Sequence, residues 1–236
     1  MLFIRWCWRT GAIESVPRDL DSQELRIGRE PSEIRPYSIT EIKKLLDNAS
    51  VRTKLYILLA LNTGATQVDI ADLKRVEIDW SVGTISRKRS KTEKHKNVPK
   101  VTWALWPETL RLLKEERSKE GELVLLNESG GPLRTEILED GKIKKNDNVR
   151  SAFARLCRKL KITDGEFKRF RKTSASMLRE NKDHSHIVDL FLGHAPQSVA
   201  HRFYAKAPQQ QLDEAIEWLG SQFRITPEPK SVEPSE

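Results

Sequence analysis

The stretch "KLYILLALNTGATQVDIADL", residues 54–73, decides the fold. From Leu55 to Leu61 it is apolar nearly all round, which marks a helix buried on every side. Gly64 ends that helix, because glycine takes the left-handed conformation of a helix stop without steric cost. "TQVDIADL" then reads as a second, short helix. Upstream, "YSITEIKKLLDNA" opens with Ser38 and Glu41 at capping-box spacing, and Ile39, Ile42, Leu45 and Leu46 form one apolar face. Downstream the period changes. "VEIDW", a Val-Gly turn, "TISRKR", a basic turn and "NVPKVTW" predict three short strands. Helical spacing returns at Pro107 with "PETLRLLKEERSK". "ELVLLN" reads as a strand and "ESGGPLRTEILEDGKIKKNDN" as a long loop. "VRSAFARLCRKLKI", "FRKTSASMLRENK", "SHIVDLFLG" and "QQQLDEAIEWLGSQF" predict four closing helices. The expected fold is therefore α+β, mostly helical, with a small antiparallel sheet.

The ends differ in composition from this body. Residues 1–16 predict a short helix, running to about Ser15, that carries Phe3, Trp6 and Trp8. Residues 17–36 are charged, proline-rich and aperiodic, as in a linker. Residues 224–236, with their prolines and glutamates, are expected to be disordered. The structured domain is placed at 37–223. Cys7 and Cys157 make neither a disulfide framework nor a metal-ligand spacing, and Cys157 reads as a small core residue. That usage fits a reducing cytoplasm. No apolar run approaches the ~18 residues of a membrane span.

The net charge of +8 points to a polyanionic partner, and the cations cluster. "SRKRSKTEKHKNVPK" holds seven Lys/Arg and one acid, and Arg155 to Lys172 holds eight against Asp164 and Glu166. Two basic clusters around one sheet and one helix start make a phosphate-backbone surface. Chemistry on a phosphodiester needs a nucleophile, donors for the nonbridging oxygens and an acid for the leaving oxygen. An HExxH metal motif, a GxSxG elbow and a P-loop are absent from the sequence, and no cofactor is expected. The cations and the scarce tyrosine of "FLGHAPQSVAHRFY", Tyr204, remain as the working parts.

Four stretches, in order, resemble the catalytic domain of tyrosine recombinases, the phage-integrase family. "LLALNTGATQVDIADLKRVEIDW" resembles the first box, and "ISRKRSKTEKHKNVPK" the hairpin whose lysine enters the active site, with Lys91 at that position. "FKRFRKTSASML" resembles the second box, with Arg171 at its arginine and Lys168 where the family has histidine. "LGHAPQSVAHRFY" resembles the closing box, with His194 at the His/Trp position and Tyr204 at the nucleophile. The resemblance implies double-stranded DNA as partner, a synaptic tetramer on it, and a 3′-phosphotyrosyl intermediate formed without metal or ATP. It also implies that the N-terminal helix is the stub of a separate core-binding domain. One departure stands out. Thr66 occupies the position of the first-box arginine, and Asp69 matches the acid that supports that box. Arg75, or an arginine from elsewhere, would have to replace the missing cation. The alternative reading is a DNA-binding relic or regulator of the same fold.

Overall fold

In the computed structural model the described residues are 2–18, 20, 35–90, 98–139, 141–194 and 209–225. Lys91, Tyr204, most of the 17–36 segment and nearly all of 224–236 lie outside them. The chain divides into two units, Met1–Ile34 and Arg35–Glu236. In the first, α1 (Leu2–Arg9) is shorter than the expected run to Ser15. Gly11 adopts φ +74°, and the N–H of Ala12 bonds back to the Cys7 carbonyl (2.8 Å), which closes the helix.

The second unit is built around α3 (Val51–Thr63), whose residues from Leu55 to Thr63 are all buried. It packs most heavily against α5 (Pro107–Glu116) and α7 (Lys168–Glu180). Ser50 caps its start and Gly64, at φ +64°, ends it. The capping box of α2 (Ile39–Asn48) forms as its sequence requires, with Ile42, Leu45 and Leu46 buried. Next come α4 (Gln67–Ala71) and an antiparallel sheet in the order β1 (Ile78–Asp79), β2 (Thr84–Arg87), β3 (Val101–Ala104). Ile85 pairs with Trp103 and Arg87 with Val101, so these four share the buried face. α6 (Asn148–Lys159), α7, α8 (Val188–Phe191) and α9 (Gln209–Phe223) complete the unit. Cys157 is buried in the core, as expected.

Three strand and loop expectations are corrected. "VEIDW" yields only the two-residue β1, because Arg75–Glu77 forms a 3-10 turn instead. "ELVLLN" is not a strand. It makes single bridges, Lys74 to Leu123 and Leu126 to Pro132, while Val124 and Leu125 fill the core. The long loop contains a hairpin, β4 (Arg134–Glu139) and β5 (Lys142–Asp147). Its Ile137, Leu138 and Ile143 are exposed, so no buried alternation announces it. Charge pairs such as Lys145–Glu136 (3.3 Å) cross it instead.

Buried polar groups lock sheet to helices. Asn62, fully buried, donates to the Ala104 carbonyl (2.9 Å) and accepts from the Trp106 N–H (2.7 Å). The Trp103 indole donates to the Phe191 carbonyl (3.0 Å), and that of Trp106 to the Ile216 carbonyl (2.8 Å). Gly220 lacks the Cβ that would lie 2.8 Å from the Trp106 Nε1, which lets the indole reach α9. Asn62→Ala would strand a buried N–H and carbonyl, at a cost of about 2–3 kcal/mol. Urea denaturation should show the lower midpoint with an unchanged slope, and an unchanged midpoint would contradict the role given to Asn62.

Candidate active site

Arg171 stands in the first turn of α7, one turn before Ser174 on the same face. The Ser174 hydroxyl donates to the Leu61 carbonyl (2.8 Å), which sets α7 in register with the last turn of α3. The Arg171 guanidinium then meets two helix ends. One arm donates to the carbonyl of Gly64, at the end of α3, and the other to that of Leu192 (2.7 Å), at the end of α8. Helix C-termini carry partial negative charge and unmade carbonyl bonds, so a cation suits both. Gly64 is needed for space as well as for its backbone angle. A Cβ there would lie 3.1 Å from the Phe191 ring and 3.2 Å from an Arg171 nitrogen.

His194 follows from how α8 ends. Gly193 at φ +61° donates to the Leu190 carbonyl (2.8 Å), and the His194 N–H to that of Asp189 (2.9 Å). This is the Schellman pattern, and it fixes the backbone from which the imidazole departs. The imidazole Nε2 lies 3.4 Å from an Arg171 nitrogen and Nδ1 lies 3.3 Å from the Asp189 carboxylate. A guanidinium can only donate, so Nε2 is the accepting nitrogen and the ring proton sits on Nδ1. Burial lowers the His194 pKa, and Arg171 and Arg89 lower it further against the opposing pull of Asp189. Burial, then Arg89, likewise push Arg171 down to about 9, with Asp69 opposing, and it stays cationic at neutral pH.

Thr66 has a scaffold role. Its side chain accepts from the Asp69 N–H while its own N–H (2.9 Å) and hydroxyl (2.6 Å) donate to the Asp69 carboxylate, a capping box that starts α4. The other oxygen of Asp69 accepts from the Ser90 N–H (3.1 Å) and hydroxyl (2.9 Å). Burial opposes the charge on Asp69, but these bonds outweigh it and hold its pKa below the ordinary value. Arg87, also buried, spends its fork on the Asp69 carbonyl (2.7 Å), Asp72 (2.9 Å) and Ser90 (2.8 Å). The hairpin is thus pinned to α4.

Of the expected site residues, the structure brings Arg171 and His194 together. Lys168 does not join them. It is half exposed and pairs with Glu166 (2.8 Å). Lys91 and Tyr204 lie outside the described residues. Part of the basic cluster is also spent internally. Arg169 is buried, bonded to Asp164 (2.9 Å) and the Arg35 carbonyl (2.8 Å), and stacked on Tyr37 at 3.9 Å. Arg75 does not replace the missing cation, because it turns to the Ser118 carbonyl. A small cavity opens instead between Gly64, Asp69, Trp103, Arg171 and an arginine not singled out from the sequence, Arg89. Strand alternation carried that signal, since Arg89 falls on the same face as Ile85 and Arg87 and two residues before Lys91. Among the described residues no cluster of His, Cys, Asp and Glu could hold a metal, and no helix is long and apolar enough to cross a membrane.

The central helix, the sheet beside it and the arginine–histidine pair where α3, α7 and α8 converge form the catalytic-domain architecture of tyrosine recombinases. Residues 34–210 match the phage integrase family, and the chain belongs to it. The integrase of mycobacterium phage Brujita superposes with a TM-score of 0.58 at 19% identity, over 96% of this chain and 74% of that one. The Tn1549 transposon integrase, in complex with transposon right-end DNA, gives 0.55 at 14% identity, over 88% and 73%. Lambda integrase, as a dimer bound to a COC′ core site, gives 0.54 at 17%, over 98% and 59%. At these identities the likeness speaks for the fold. No curated protein matches the chain.

The lowered pKa of His194 makes a prediction with a definite sign. Its stabilising contribution is full above the unfolded value of 6.5 and is lost as pH falls through the folded one. In an NMR titration the His194 ring should change charge below pH 6.5, and Asp189→Asn should move that midpoint lower still. A wild-type midpoint at or above 6.5 would contradict a ring buried beside the two arginines.

Proposed function

We propose that the chain is the catalytic domain of a site-specific DNA recombinase that breaks and rejoins duplex DNA through a 3′-phosphotyrosyl intermediate. The observation that carries this reading is a half-buried arginine, Arg171, braced by two helix ends beside a neutral histidine and facing a second arginine across one cavity. Asp69, the carboxylate that lines the cavity, is committed to Thr66 and Ser90, so the site holds positive charge in want of an anion. A phosphodiester supplies that anion, and the planar guanidinium fork suits its two nonbridging oxygens. Membership of the integrase family and the DNA complexes of the superposing integrases support the same substrate.

In this reading Tyr204 attacks the phosphorus. Its phenol gives up its proton to water, and the cations of the site favour the phenolate that attacks. The new bond joins the Tyr204 oxygen to phosphorus, and the bond from phosphorus to the 5′-oxygen breaks. Lys91 passes a proton to the departing oxygen, leaving a 5′-hydroxyl. Arg171 stabilises the charge on the nonbridging oxygens as the transition state forms. Attack by a 5′-hydroxyl from a second strand reverses each step and restores both Tyr204 and Lys91. Lys168, close to the entry of α7, meets the DNA backbone outside the reaction centre. Strand exchange needs paired sites, so the chain is expected to work as a tetramer on DNA.

A nicked suicide-duplex library tests this, because loss of the short 5′-hydroxyl strand traps the intermediate. Wild-type protein should yield an SDS-resistant adduct, and Tyr204→Phe should yield none. Thr66, spent on the cap of α4, favours the second reading, a DNA-binding protein without strand cleavage. That reading predicts salt-sensitive retention of duplex DNA, unchanged by Tyr204→Phe, with no adduct from either protein.

A further inference from the structure

We propose that Arg89, from the β2–β3 hairpin, supplies the second guanidinium on the scissile phosphate, in place of the first-box arginine that Thr66 replaces. The inference rests on the recombinase reading above and adds a residue to it.

Its placement is built. Arg89 sits between Arg87 and Ser90, and both neighbours are tied to α4, Arg87 through the Asp69 carbonyl (2.7 Å) and Ser90 through the Asp69 carboxylate (2.9 Å). The backbone of Arg89 is therefore fixed while its own side chain is left unspent. Its Nε is buried without a hydrogen-bond partner, and it forms no ion pair with any described residue. A buried donor left unmade is costly, and a ligand entering the cavity would supply the acceptor it lacks. The side chain lines the cavity that Arg171 lines from the other element. Its stem passes over Gly193, where a Cβ would lie 3.2 Å from the Arg89 Cγ. The glycine before His194 thus does two things. It takes the left-handed angle that ends α8, and it leaves room for this arginine beside the imidazole.

The three groups come from three separate elements: Arg89 from the hairpin, Arg171 from α7 and His194 from the exit of α8. Like charges are not gathered in a partly buried cavity for stability, since each raises the cost of the next. Asp69 supports the arrangement from behind. One of its oxygens holds Thr66 and the other holds Ser90, so the acid that belongs to the first box now orients the hairpin arginine.

The test uses the full chain and the suicide duplexes, with an ordinary or a methylphosphonate linkage at the cleaved position. Arg89→Met keeps the apolar stem and removes the guanidinium, and Lys88→Met removes one charge at the next residue. Arg89→Met should slow adduct formation on phosphate by about 10²–10³-fold relative to Lys88→Met, the usual cost of one lost oxyanion donor. On the methylphosphonate, which lacks the anionic oxygen, the difference should close. Equal rates for the two variants on phosphate, or the same gap on both linkages, would overturn the proposal. If wild-type protein forms no adduct, the recombinase reading fails and Arg89 is judged by inorganic phosphate instead. Added phosphate should raise the NMR midpoint of His194 in wild type and leave it in place in Arg89→Met. The same response in both proteins would remove Arg89 from the anion site.

Discussion

The Arg171 guanidinium, held between the last carbonyl of one helix and the last carbonyl of another, is the contact on which the site depends. α3 and α8 each end in a left-handed glycine, Gly64 or Gly193, that turns carbonyls toward a common point. A single side chain satisfies both ends, and the charge it brings is the charge those ends favour. Remove the fork and two helix termini lose their cap while the site loses its cation. The fold and the chemistry therefore share one interaction. It also explains why two distant glycines are constrained, since one leaves room for Arg171 and the other for Arg89.

Electrostatics orders the rest. Each carboxylate near the cavity already has its partners: Asp69 has Thr66 and Ser90, Asp72 has Arg87, and Asp189 has His194. Of the three arginines that line the cavity, Arg87 takes Asp72, while Arg89 and Arg171 receive none of these carboxylates. Such a distribution leaves the pocket positive after its internal pairs are formed, which is what a site for a phosphodiester requires. Burial, together with the same cations, keeps the imidazole neutral, so its Nε2 accepts from Arg171.

Much of this was legible in the sequence, and what was not has physical causes. The all-round apolar run to Leu61, the stop at Gly64 and the Ser38–Glu41 box are local patterns, and each formed as its chemistry dictates. Motif spacing marks Arg171 and His194 as candidates, and the structure brings their side chains together. The β4–β5 hairpin is hard to see in the sequence, since its apolar residues Ile137, Leu138 and Ile143 face solvent and its alternation carries no core signal. The Asp-Gly pair at 140–141 was its one local sign, and a two-residue turn of that kind favours a hairpin. Lys168 fitted the motif but is drawn off by Glu166, a contact that spacing does not reveal. Arg89 was hidden for another reason. Seven cations crowd its segment, so alternation alone does not single it out, and the tertiary contact between Asp69 and Ser90 marks it as aimed.

The central claim is that two guanidinium groups from different elements hold one phosphate under Tyr204. A crystal structure of the chain on nicked duplex DNA, with vanadate bridging Tyr204 and the 5′-hydroxyl, tests it most directly. The account predicts nitrogens of both Arg171 and Arg89 within about 3.2 Å of the equatorial oxygens, with the Tyr204 oxygen apical. A vanadate gripped by Arg171 while Arg89 points to solvent, or one without Tyr204 as an apical ligand, would contradict it.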